Sequence, residues 1–258
     1  MLKDKIREFV GGQNGNVAVV IKNLKTNEVI KINENLVFPS ASTIKLAIMT
    51  ELLNQVQSGK LFLEDKIKLT ENMKTGGDGI LKELEQGHEF SLKEIMILMI
   101  IVSDNMATNI LIDLLGMNNI NAAIMNLGLT STKLQRRMMD SQAAREGREN
   151  LITANDLAHL LELIYCGNNI NREYSDLMLD VLKRQQVRGR LDLYLPEEVV
   201  IAHKTGDLDC LEHDVGIVYV PNNEYIICVL TNETKTNKDA REIIGKISKM
   251  VYEKYSDI

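Results

Sequence analysis

Tryptophan is absent from the 258-residue chain, and aromatic residues make up only 4% of it. That scarcity removes the stacking platforms on which single-stranded nucleic acids are held. A basic excess is missing too: 30 Lys and Arg stand against 36 Asp and Glu, a net charge of −6, which argues against a general phosphate-backbone binder. The longest apolar run, Ile95 to Val102, falls far short of the roughly 20 residues needed to span a bilayer. Cysteine is limited to Cys166, Cys210 and Cys228, too few and odd in number for a disulfide scaffold, so free thiols in a reducing compartment are the simplest reading. Three prolines (Pro39, Pro196, Pro221) and no low-complexity tract leave no flexible linker. Met1-Leu2-Lys3-Asp4-Lys5 lacks the apolar stretch of a signal peptide. The expected location is therefore cytoplasmic, or secreted if a leader has been trimmed away.

What is present is an ordinary globular composition, 45% hydrophobic and 26% charged, with length enough for one large or two modest domains. A short helix at about 2–9 precedes two strands, Asn16 to Leu24 and Val29 to Asn33, which read as a hairpin. Segments 43–58, 91–101, 106–115, 118–127, 154–166 and 173–185 carry apolar residues at helical spacing. Strand signals return at Val199–His203, His213–Val220 and Tyr225–Thr231, before a last helix, Lys238 to Tyr255. Strands at both ends around a helical middle predict an α+β fold: an antiparallel sheet flanked by helices, plus an all-helical domain. The expected division is 1–45 with 188–258 for the sheet domain and 46–187 for the helical domain, with the site in the cleft between them.

Three short motifs carry chemistry. Ser42-Thr43-Ile44-Lys45 stands where the first strands give way to a helix. Ser42 and Lys45 share one helical face, and a lysine with a lowered pKa activates an adjacent hydroxyl. Taken alone, the pair reads more simply as a helix-cap serine with a solvated lysine. Ser103-Asp104-Asn105 follows the apolar run and precedes another helix, where a polar triplet is most simply a cap. Lys204-Thr205-Gly206 is placed at the end of the strand that begins at Val199, where a lysine and a hydroxyl suit an anionic group and glycine admits close approach. A second Lys-Thr-Gly, Lys74 to Gly76, has no strand before it and precedes Ser103, so it is set aside.

Ser-x-x-Lys, Ser-Asp-Asn and Lys-Thr-Gly, in that order and each in its own context, resemble the signature set of penicillin-recognising serine enzymes, class A β-lactamases in particular. The likeness extends through Gly79 to Ile100 and through His213 to Val218. It implies a serine hydrolase opening β-lactam amides. Ser42 would be the nucleophile, Lys45 the proton acceptor, and Ser103 the relay to the leaving nitrogen. Asn105 would hold the side-chain amide, Lys204 and Thr205 the substrate carboxylate, beside Gly206. The oxyanion would lie on the backbone N–H groups of Ser42 and Asp207. Arg190 matches a position where some members carry a carboxylate-binding arginine; a solvated turn arginine is the plainer reading. A small-molecule substrate, no cofactor, no nucleic-acid or membrane partner and a monomeric state are expected.

Two departures stand out. On the register set by Arg136 and Thr153, the deacylating glutamate of the family is Met138 and its partner asparagine is Gln142; a thioether cannot activate water. Asp140, Glu146 and Glu149 are the nearby carboxylates, with Glu149 the best substitute and solvated loop charges the simpler reading. The second departure is Asp207, a carboxylate expected to repel a substrate carboxylate. Acylation with slow deacylation is the leading expectation. A peptidase or esterase with the same machinery, or an acylated sensor without turnover, are the alternatives. His203, Cys210, His213 and Asp214 cluster in sequence, but strand histidines beside a turn are a better reading than a metal site. Most of the twelve methionines read as core filler.

Overall fold

The computed structural model describes residues 1–256. The chain runs α1 (Leu2–Gly11), β1 (Asn16–Asn23), β2 (Val29–Ile32) and β3 (Phe38–Pro39) into a tight 3-10 turn at Ala41–Ile44 and α2 (Lys45–Gln57). Next come β4 (Lys66–Lys68), β5 (Glu89–Ser91), α3 (Leu92–Ile101), α4 (Asn105–Leu115), α5 (Met117–Asn126), α6 (Ser141–Arg145) and β6 (Leu151–Ile152). The remainder is α7 (Ala154–Cys166), α8 (Arg172–Lys183), β7 (Val200–Leu208), β8 (Leu211–Tyr219), β9 (Tyr225–Asn232) and α9 (Asn237–Tyr255).

The main sheet has the order β2-β1-β9-β8-β7, antiparallel throughout. Strand β9 joins the two chain ends by pairing Asn16 with Asn232 and Asn23 with Tyr225. Its apolar residues alternate strictly. Ile226, Cys228 and Leu230 pack toward α7, whereas Tyr225, Ile227 and Val229 pack toward α9. A strand covered on both faces needs apolar residues at every position, which is why β9 reads as a continuous apolar run. Most helices in the middle of the chain begin on side-chain caps: Ser91 with Glu94 for α3, Asp104 for α4, Thr153 for α7 and Asn171 for α8.

Two local expectations need correction. Strand β7 continues to Leu208, so Lys204-Thr205-Gly206 lies within the strand rather than at its end; pairing of Thr205 with Asp214 and Gly206 with His213 extends the ladder. The helical start at 43 is a 3-10 turn holding Ser42, and α2 begins at Lys45. At three residues per turn, i and i+3 eclipse, which aligns Ser42 and Lys45 along one edge of the turn. The pairs β3–β6 and β4–β5, and the short α6, left no signal, because two- or three-residue strands are too short to show a period.

Candidate active site

Three segments converge where the edge strand β7 meets the 3-10 turn. Gly206 is packed so tightly on that turn that a Cβ there would lie 2.9 Å from the Ser42 nitrogen and 3.1 Å from the Ala41 Cβ. Only glycine allows this approach without displacing the backbone. Ala41 (φ 45°), Ser103 (φ 56°) and Met139 (φ 63°) all take left-handed conformations. Each costs non-glycine residues on the order of 1 kcal/mol or more, and such strain collects where surrounding structure imposes a geometry.

Lys45 Nζ donates to the Ser103 carbonyl at 2.7 Å, and lies 3.1 Å from Ser103 Oγ and 3.0 Å from Asn105 Oδ1. Lys204 Nζ reaches the same Ser103 Oγ at 3.2 Å and donates to the Thr205 carbonyl at 2.7 Å. Two fully buried lysines thus share one serine hydroxyl. Burial, and then the charge of Lys204, hold Lys45 well below the ordinary lysine range, although Asp78, Asp104 and Asp207 oppose the shift. Burial lowers Lys204 to about 7 against the pull of Asp214. Three acceptors satisfy an ammonium; once a proton is lost, the free lone pair of Lys45 can accept one.

Ser42 and Asn105 open onto a cavity of about 470 Å³ with Ala41, Gly77, Asp78, Arg136, Met138, Met139, Glu149, Asp207 and Leu208 in its wall. A larger hollow of about 790 Å³ lies near Met1 and Met250, remote from this cluster. Met138 faces the cavity, and its backbone is clamped by Asn109, which accepts from Met138 N at 2.8 Å and donates to Met138 O at 3.1 Å. Of the three substitute carboxylates, only Glu149 lines the cavity. Both its oxygens are engaged by Arg136, at 2.9 and 3.0 Å. Asp140 caps α6 through Ala143 N, and Glu146 faces Arg148 and Gln142.

Arg190 is not the solvated turn residue of the plainer reading. Its side chain is 3% exposed and is held by Glu212 at 2.7 Å and Asp207 at 3.1 Å. Glu212 also accepts from Arg241 at 2.7 Å. The expected repulsion by Asp207 is therefore blunted by a guanidinium on the same carboxylate. Thr205 is buried in β7 beside Lys204. His203 binds Asp214 through Nδ1, and His213, lowered to about 4 by burial, bonds the Pro39 carbonyl. No group of three or more His, Cys, Asp or Glu suited to a metal ion stands among the described residues. Likewise no described helix is long and apolar enough to cross a membrane.

Three contributors went unnoticed in the sequence, and a fourth, Asp104, stands there only as part of a capping triplet. Asn109 lies one helical turn after Asn105, so that spacing was a usable signal. Asp104 accepts from Ile80 and Leu81, Asn150 ties Gln135 and Arg136 to Ser40, and Asp78 lines the cavity. None of these three has a local pattern that reveals its distant partner.

A two-ended antiparallel sheet, a helical layer and a buried Lys–Ser–Lys cluster at the sheet edge define an α+β hydrolase of the kind the three motifs announced. The match is general: residues 1–255 fit the model of the β-lactamase enzyme family, and the chain belongs to that family. It is 27% identical to β-lactamase VEB-1 of Pseudomonas aeruginosa over 269 residues, covering 97% of this chain and 89% of that one. With a β-lactamase of Bacteroides uniformis it shares 25% over 273 residues, covering 98% and 90%. Among solved structures, a β-lactamase from Sphaerobacter thermophilus superposes with a TM-score of 0.93 at 29% identity, covering 99% and 97% of the two chains. PBP-A gives 0.92 at 28%, covering 100% and 96%.

Proposed function

We propose that the protein is acylated at Ser42 by β-lactams and releases the acyl group slowly. The observation that carries this reading is the Ser103 hydroxyl held between Lys45 and Lys204 behind a cavity that opens at Ser42. With Lys45 neutral, Ser42 Oγ gives up its proton to Nζ and attacks the carbonyl carbon, and the N–H groups of Ser42 and Asp207 receive the oxyanion. The C–N bond then breaks as Ser103 donates its proton to the leaving nitrogen, and Lys45 returns a proton to Ser103. Lys204, near its pKa at neutral pH, supplies the charge that draws a substrate carboxylate, with Thr205 beside it.

Slow release follows from the loop. A thioether stands at Met138, and Glu149, the one carboxylate of that loop in the cavity wall among the described residues, is held by Arg136 through both oxygens, which leaves it poorly placed to activate water. A solved structure of a PBP-A variant, 27% identical to this chain with a TM-score of 0.91, is an acyl-enzyme complex with penicillin G, which supports a stable adduct on this fold. A peptidase or esterase is the second reading. It is favoured by Arg190, whose charge is already met by Glu212 and Asp207 and so offers less to a substrate carboxylate.

Intact mass after incubation with penicillin G tests the first reading. A stoichiometric adduct that is lost in Ser42→Ala supports it; labelling that survives the substitution removes Ser42 from the mechanism. Turnover of nitrocefin at an ordinary β-lactamase rate would overturn slow release. Faster hydrolysis of a peptide ending in D-Ala-D-Ala or of a p-nitrophenyl ester than of nitrocefin would select the second reading.

A further inference from the structure

Three carboxylates stand in the wall of the Ser42 cavity, and two are already neutralised. Glu149 is held by Arg136, and Asp207 by Arg190. The third, Asp78, is exposed and forms no ion pair among the described residues. The lysines on either side of it in sequence are turned elsewhere: Lys74 to Glu71 at 3.0 Å, and Lys82 to Glu83 and the Gly77 carbonyl.

Asp78 does not ride on a loose loop. Its carbonyl accepts from Asn105 N at 3.0 Å. Ile80 N and Leu81 N donate to Asp104 Oδ2 at 2.7 and 2.9 Å, and Asn105 Nδ2 approaches the Gly76 carbonyl at 3.3 Å. Gly77 has φ +75°, and a Cβ there would lie 2.5 Å from Asn105 Nδ2 and 2.9 Å from Met139 Sδ. The segment is thus pinned to the Ser103–Asn105 turn and reaches across the cavity to the 136–150 loop. The backbone that carries the carboxylate is thus fixed beside Asn105, and Asp78 lines the same cavity as Ser42 and Asp207.

We propose that Asp78 selects acyl donors that carry a protonated amine on the acyl side of the scissile amide. This rests on the acylation of Ser42 proposed above. An ammonium placed beside Asn105 meets an unpaired carboxylate there, whereas Lys204, held on the Ser103 hydroxyl, repels the same cation if it enters in the reverse orientation. The contact therefore sets orientation as well as affinity. Asp78 also raises the pKa of both lysines, so a role in tuning them is the competing account, and the two roles differ in their effect on paired substrates.

Ampicillin and penicillin G form such a pair, since they differ by one α-amino group. Second-order acylation rates of the full chain are read by intact mass at about pH 6, where an α-amine is protonated. The ampicillin-to-penicillin G ratio is expected to fall about fivefold in Asp78→Asn, as for an exposed ion pair, and to be kept in Asp78→Glu. Added salt is expected to shrink the ratio in the wild type. A ratio unchanged by Asp78→Asn overturns the proposal, and so does an equal loss for both penicillins, which assigns Asp78 to lysine tuning. If neither penicillin labels Ser42, this proposal and the acylation reading fall together. Labelling by both with a ratio indifferent to Asp78 overturns the selectivity alone.

Discussion

The two walls of the cavity are built differently. On the sheet side, Ser42, Lys45, Ser103 and Lys204 are nearly sealed from solvent, and the polar atoms of both lysines and of Ser103 are engaged with one another or with backbone carbonyls. On the loop side, residues 136–150 spend their hydrogen bonds on holding the loop itself: Arg136 on Glu149, Asn150 on Gln135 and Arg136, Asn109 on Met138. The first wall holds groups whose proton affinity burial has altered, and the second holds a shape. Chemistry concentrated in one wall makes bond formation and acyl release separable, and each substitution below tests that separation.

The largest effect is expected from Lys45→Met, which removes the proton acceptor and should slow penicillin acylation about 10³-fold, within the range for general base catalysis. A loss smaller than tenfold would move the base elsewhere. Next is Met138→Glu, which places a carboxylate on the clamped backbone of the loop wall. Hydrolysis of the acyl-enzyme, followed by the decay of the adduct mass, should quicken about 100-fold, with acylation little changed. An unaltered adduct lifetime would show that the attacking water does not approach from Met138.

Arg136→Ala should cost about 1–3 kcal/mol of stability, below the value for a sealed pair because Glu149 is partly exposed. Melting read by circular dichroism would show a lower Tm while Ser42 labelling persists. Labelling lost from a variant that remains folded would mean that the two walls are not independent. The smallest effect concerns pH. Lys204 has a pKa of about 7 when folded and near 10.5 when free, so between these values the unfolded chain binds more proton and stability rises with pH. Lys204→Met should therefore reduce the gain in Tm from about pH 7 to about pH 9. An undiminished gain would mean that Lys204 is not the group titrating there.

The same contrast marks how far the sequence could be read. Strands that pack on both faces declare themselves as apolar runs, and the capped amphipathic helices show their period, so the sheet built from both ends is legible in the sequence. The three motifs are visible because each sits within a few residues on one element. What stayed hidden depends on partners far apart in the chain. Arg190 reads as a turn residue until β8 brings Glu212 to it. Asp207 reads as a repulsive charge until that arginine is placed, and Glu149 reads as a free base until Arg136 closes on it. No periodicity encodes the pairing of an arginine with a carboxylate across a loop neck.

The joining of β1 to β9 has a kinetic meaning. Helices α2 to α8 are made largely of neighbours in sequence, whereas Asn16 meets Asn232 only after more than two hundred residues have been gathered between them. Contacts of that span carry the largest loop-closure entropy and form late. Gly206 reaches the Ser42 nitrogen only when β7 is docked on the finished sheet. A chain that has built its helices but not closed its ends would show a helical spectrum and remain inert to penicillin. Under the acylation proposed above, adduct formation would be a clock for the last step of folding, striking only when the two ends of the polypeptide have met.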